Sequence, residues 1–223
     1  MMHQNKSKKI LVYFFLLLIV GSINNKSFNK IKFFQIKNIN ITGLSDIDNE
    51  ILLSKLNDIN LKNILLINKN EISQIIENNS LVQNYIILKK YPSTLNVRIE
   101  KTKFLAKINK NNKIFYIGAN GKLILNNSKN ELPFIFGNPE INEFLRFKKI
   151  VDSSKINYKK IKNLYYFQSK RWDIEFYDNL IVKLPKENLL NSLDNAFDIL
   201  NDDNFNSLKQ IDLRIKNQII TNE

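Results

Sequence analysis

Cysteine is absent, histidine and tryptophan each occur once, and glycine and proline number only five and four in 223 residues. Without cysteine, disulfides and thiolate metal sites are excluded, and the chain folds on its core alone. The single histidine, His3, stands at the very start, which removes imidazole acid–base work and imidazole metal binding from everything after it. The glycines, Gly21, Gly43, Gly118, Gly121 and Gly137, never stand as Gly-x-Gly, so no phosphate-cradling loop is encoded. No Gly-x-Ser-x-Gly turn occurs either. The carboxylates that do cluster, Asp202-Asp203 and Asp46/Asp48/Glu50, fall at expected helix ends, where capping and solvation account for them. Neither an enzyme nor a cofactor protein is expected.

Acidic residues are also outnumbered, 21 against 34 lysines and arginines, for a net charge of +13. Such a balance ordinarily raises nucleic acid or an acidic surface as partner, the former recognisable by steep salt dependence. Here the lysines are scattered through a chain saturated with Lys, Asn and Ile, the residues an AT-rich genome writes most easily, and a solvated basic surface explains them. The aromatics Tyr165, Tyr166, Phe167, Trp172 and Phe176 fall on alternating segments, which points to core packing before base stacking. In a chain that writes lysine by default, Arg98, Arg146, Arg171 and Arg214 mark positions where a planar fork of donors is wanted.

Long apolar runs are equally scarce. There is one, Ile10 to Val20, preceded by Lys6, Lys8 and Lys9, and no charge falls between Lys9 and Lys26. A helical span needs roughly 20 residues, so this run crosses a bilayer only by borrowing its edges, with lysine stems snorkelling on one side and Gly21 to Asn25 interfacial on the other. A signal anchor over 10–23 and a cleavable signal peptide ending near Val20-Gly21-Ser22 both fit. Residues 1–9 precede the run and about 200 follow, so either reading exports the bulk of the chain.

After the run the order is strand (34–42), helix opened by Ser45-x-x-Asp48, helix opened by Asn68-x-x-Glu71, strand (82–90) and strand (95–100). Two helices on one face of a three-stranded sheet make a complete small α+β domain. From Phe104 the pattern is β-rich, interrupted by an amphipathic stretch from Ile141 to Val151. Arg171 to Phe176 and Leu180 to Leu184 alternate around an Asp178-Asn179 hairpin turn. A leucine-rich helix (189–200) and a last alternating strand with Ile211, Leu213, Ile215 and Ile219 on one face follow.

Ile39-x-Ile41-x-Gly43, Asn63-x-Leu65-x-Ile67 and Tyr91-Pro92-x-x-Leu95-x-Val97-x-Ile99-Glu100 resemble the POTRA module. Arg171-Trp172-Asp173, the hairpin to Leu184-Pro185, the leucine-rich helix and Ile211-Asp212-Leu213-Arg214 look like the β domain of the bacterial division family FtsQ/DivIB. The order of anchor, POTRA and β domain covers nearly the whole chain. Departures are Asp178-Asn179 in place of Asn-Gly, Gly118 in place of an acidic residue, and the short cytoplasmic stub 1–9.

The resemblance implies an α+β fold: a single transmembrane helix (10–23), a POTRA domain (34–101, β-α-α-β-β) and a mostly antiparallel β domain with flanking helices (102–223). It implies a non-enzymatic scaffold at the septum of the inner membrane with its bulk in the periplasm. FtsB and FtsL would be partners, and more distantly the septal peptidoglycan synthase. The alternative is another exported POTRA protein in secretion or outer-membrane assembly, although the stretch after Lys101 is too short and too interrupted for a transmembrane barrel. The expected partner-binding residues are Arg171, Arg214, Ile215, Lys216, Asn217, Gln218, Ile219 and Ile220, on a strand from Leu213 to Ile220 placed at a sheet edge because nothing in sequence follows to cover it. A structural pairing of Arg171 with Asp173 and Arg214 with Asp212 is the competing expectation.

Overall fold

The computed structural model describes residues 4–23, 34–125, 131–202, 208–215 and 218–222. Helix α1 spans Gln4–Ile23. Its apolar side chains are exposed on every side, from Ile10 at 67% and Phe14 at 61% to Val20 at 66%. Among the described residues no helix is long and apolar enough to cross a membrane. The charge-free stretch 10–23 makes only about 21 Å of helix against a hydrocarbon core of about 30 Å.

The chain divides into two units, one of residues 1–79 and 85–100, the other of 80–84 and 101–223. In the first, β1 (Asn38–Thr42), β2 (Val82–Lys90) and β3 (Thr94–Lys101) form a sheet in the order β1-β3-β2. The β1 and β3 strands run parallel with Ile39 opposite Leu95 and Ile41 opposite Val97. The alternation of β3 puts Leu95, Val97 and Ile99 on the buried face. Against them pack α2 (Asp46–Leu56) through Leu52 and Leu56, and α3 (Lys69–Glu77) through Ile72 and Ile76. Both helix starts follow from sequence: the Ser45 side chain accepts from the Asp48 amide, and that of Asn68 from the Asn70 amide.

The first strand is shorter than its alternation suggests, beginning at Asn38 and not at Phe34. Residues 34–36 change partner. Ile36 donates to the Lys62 carbonyl at 3.0 Å and accepts from Leu61 at 3.1 Å, while Phe34 accepts from Ile64 at 2.8 Å. Alternation records which face is buried and is silent on which neighbour supplies the ladder.

The second unit carries a sheet of nine strands in the order β12-β11-β10-β9-β8-β7-β4-β5-β6. Its strands are β4 (Phe104–Lys110), β5 (Lys113–Gly118), β6 (Leu123–Ile124), β7 (Phe134–Phe136), β8 (Ile161–Tyr166), β9 (Trp172–Phe176), β10 (Ile181–Lys183), β11 (Gln210–Asp212) and β12 (Ile220–Asn222). Pairing is mainly antiparallel. The exceptions are β7, parallel to both β4 and β8, and β11, parallel to β10. Helices α4 (Ile141–Ser153) and α5 (Leu189–Leu200) supply Phe144, Phe147, Val151, Leu193 and Ala196 to the core on one face. At its centre Trp172, 2% exposed, stacks on Phe147 at 4.5 Å between centroids and 13° between planes. Gly118 is explained by proximity, since a Cβ there would lie 2.5 Å from Asn120 Oδ1 and 3.0 Å from Thr102 Oγ1.

The Asp178-Asn179 turn forms, with Asn179 at φ 66° and the Phe176 amide bonded to the Leu180 carbonyl. The strand expected from Leu213 to Ile220 does not. Alternating burial fails there, because Ile211, Asp212 and Leu213 are all buried while Ile215 and Ile219 are 52% and 50% exposed. The chain turns after Asp212 and returns as β12, antiparallel to β11 with Asp212 opposite Ile220.

Candidate protein-interaction site

Away from the helices, the strands of the second unit set one polar row in register, Tyr165 beside Asp173, Asp173 beside Lys183 and Lys183 beside Asp212, and the apolar Ile220 stands next to Asp212 at its end. The two sequence-marked arginines bracket this row from the residues flanking β9 and β11. Arg171 Nε donates to Asp173 Oδ1 at 3.3 Å, and its guanidinium carbon lies 4.4 Å over the Phe167 ring. Arg214 holds Asp212 with Nε at 2.8 and 2.9 Å from the two carboxylate oxygens and Nη2 at 2.5 Å.

Both carboxylates are buried, and their environments differ. Burial pushes the Asp173 carboxyl up, against the charges of Arg171 and Arg214. The Arg214 hydrogen bonds pull the Asp212 carboxyl down, against burial. A depressed carboxylate contributes stability that is present above its unfolded pKa and lost as pH falls through its folded value. Arg214→Ala is therefore expected to cost about 1 kcal/mol near neutral pH, at the low end because the guanidinium is 41% exposed. The difference should shrink in acid, as pH falls below the ordinary carboxylate range and through the lower folded value of Asp212. Urea unfolding at neutral and acid pH checks this.

The structure thus brings Arg171 and Arg214 to one face, each already engaged with an aspartate. Ile215, Gln218, Ile219 and Ile220 are exposed on the β11–β12 hairpin that forms one end of the sheet. Lys216 and Asn217 lie outside the described residues. Beside the hairpin opens a cleft of about 680 Å³, lined by Asn188, Asn191 and Ser192 of the α5 start and by Leu213, Arg214 and Ile219. Sequence reasoning passed over Lys183 and this cleft. The signal for Lys183 was present, because the apolar alternation 180/182/184 places it on the polar face; the cleft had none.

Residues 34–101 match the family model for the POTRA domain, FtsQ-type, and residues 106–214 match that for cell division protein FtsQ/DivIB, C-terminal. The chain belongs to the FtsQ/DivIB family. It is similar to the cell division protein FtsQ of Rickettsia bellii, 27% identical over 200 residues covering 83% of this chain and 71% of that one. The FtsQ of Rickettsia felis is 24% identical over the same shares. A solved extracytoplasmic domain of the division protein DivIB from Geobacillus stearothermophilus overlaps 42% of this chain and 87% of its own, at 11% identity and a TM-score of 0.33. The second FtsQ/DivIB match ends at Arg214, so β12 beyond it is placed by its pairing with β11.

Proposed function

We propose that this FtsQ-family chain is a bitopic inner-membrane scaffold of the divisome, performing no reaction. It binds FtsB and FtsL through its periplasmic units, links early to late division proteins at the septum and so controls septal peptidoglycan synthesis. The domains read as stub 1–9, anchor 10–23, POTRA 34–101 and β domain 102–223. An apolar helix exposed on every side supports the anchor, since such a helix needs an apolar medium. Lysines 6, 8 and 9 can snorkel to extend its short span.

The observation that carries the partner reading is the terminal sheet edge: among the described residues β12 pairs with β11 alone, it carries exposed Ile220 with exposed Ile219 just before it and Ile215 nearby, and the Arg171/Arg214 row lies alongside. An incoming strand would gain backbone bonds from β12, while the apolar and basic side chains select an apolar, acidic segment. Arg214→Glu is a poor probe, because it sets a second carboxylate against buried Asp212. Ile215→Asp with Ile219→Asp is cleaner, since both side chains are half exposed. The double variant is expected to keep the wild-type circular dichroism spectrum and to weaken FtsB binding at least about tenfold, roughly 1.4 kcal/mol. Wild-type affinity would move the interface elsewhere.

A further inference from the structure

Between α2 and α3 the first unit runs through a connector that presents three leucines to solvent: Leu61 is 67% exposed, Leu65 46% and Leu66 63%. They are not loose. Ile59 and Ile64 are fully buried and Ile67 is 7% exposed, so the connector is pinned to the core with its leucines held outward. Leu61 sits at φ 69°, a left-handed conformation that leucine rarely adopts. A strained backbone displaying an exposed apolar side chain is what a functional contact leaves behind, because stability alone would place asparagine or glycine there.

Lysines adjoin the connector. Lys89 Nζ donates to the Ile67 carbonyl at 3.1 Å. Its pKa is lowered by burial and then by the charge of Lys69, the residue that follows the Asn68 cap at the end of the connector. Lys62 pairs with Glu71 on the other side, and exposed Lys37 follows Ile36, the acceptor of the Leu61 amide. The connector is also tied to the point where the chain enters the unit, through the Ile64 amide on the Phe34 carbonyl. From Ile23 to Phe34 a fully extended chain reaches at most about 36 Å.

We propose that the Leu61–Leu66 connector is a membrane-surface contact, its leucines entering the outer headgroup region while Lys37, Lys69 and Lys89 meet anionic phosphates. Separate exposed apolar side chains on one connector that also carries or adjoins lysines match an anionic lipid surface. The inference rests on the anchor proposed above, which keeps this unit within reach of that surface.

The absence of cysteine makes the test direct. Leu16→Cys and Leu66→Cys, each made singly in the full chain, carry a fluorophore in vesicles containing phosphatidylglycerol, with nitroxide lipids at shallow or deep positions. The Leu66 label is expected to lose about half its fluorescence to the shallow nitroxide and little to the deep one. Leu16 should respond to the deep probe. Adding Leu61→Asn and Leu65→Asn, the first suited to its left-handed backbone, or replacing phosphatidylglycerol by phosphatidylcholine, should at least halve the Leu66 response. An unquenched Leu66 label beside a quenched Leu16 label overturns the surface contact and leaves the anchor standing. An unquenched Leu16 label overturns the anchor, and this inference with it. Shallow quenching at Leu66 regardless of the leucine changes also overturns the contact.

Discussion

Phe147→Ala is expected to destabilise the second unit by about 3–5 kcal/mol, a large share of the roughly 5–15 kcal/mol that holds a domain folded. Phe147 is 2% exposed on α4 and lies flat against Trp172 of β9, which also meets Tyr166 at 4.8 Å and Phe144 at 6.4 Å. Truncation removes the transfer energy of a buried ring and leaves a void walled by aromatics and by strands that cannot close on it. The readout is built in. Trp172 is the chain's only tryptophan, so its fluorescence during urea unfolding reports this unit alone. A midpoint unmoved from wild type would mean that the stack contributes nothing, contrary to its burial.

Gly43→Ala is expected to cost roughly 3 kcal/mol or more in the first unit. Gly43 follows β1 at φ 109°, outside the left-handed well that asparagine shares, and a Cβ there would stand 1.8 Å from the Ile99 carbonyl oxygen and 2.8 Å from its carbon. Both atoms belong to the backbone of the central strand, so relief requires β1 or β3 to move. Gly121→Ala is the control. It also has positive φ, at 75°, but its nearest neighbour is a Leu145 side-chain atom at 3.5 Å, and about 1 kcal/mol is expected. Hydrogen exchange at β1 and β3 amides should separate the two variants, with protection lost only for Gly43→Ala.

Sequence made the elements legible wherever burial alternates cleanly. Leu95, Val97 and Ile99, the Ser45 cap and the Asp178-Asn179 turn all appear where periodicity and turn chemistry put them. Trp172 is core, as its alternation implied. The failures share a cause: side-chain pattern reports a face and cannot report a ladder partner. It therefore extended the first strand back to Phe34, and it ran the last strand through Leu213 to Ile220 where a hairpin folds back. At the site, both aspartate–arginine pairings could be foreseen two residues apart, while the register aligning Asp173, Lys183 and Asp212 comes from strands far apart in sequence. Only the assembled sheet makes them neighbours.

The order of the nine strands bears on how the protein is made. From β8 to β12 each strand lies beside its predecessor in the chain, so the polypeptide can add these strands one at a time as they emerge. The exposed edge at β12 is the last of them to arrive. A nascent chain halted before Gln210 would present β10 as its border, lacking Asp212, Arg214 and the isoleucines of the hairpin. Partner docking at that border, as proposed above, would then double as a proofreading step, admitting to assembly only molecules whose folding has run through the β11–β12 hairpin.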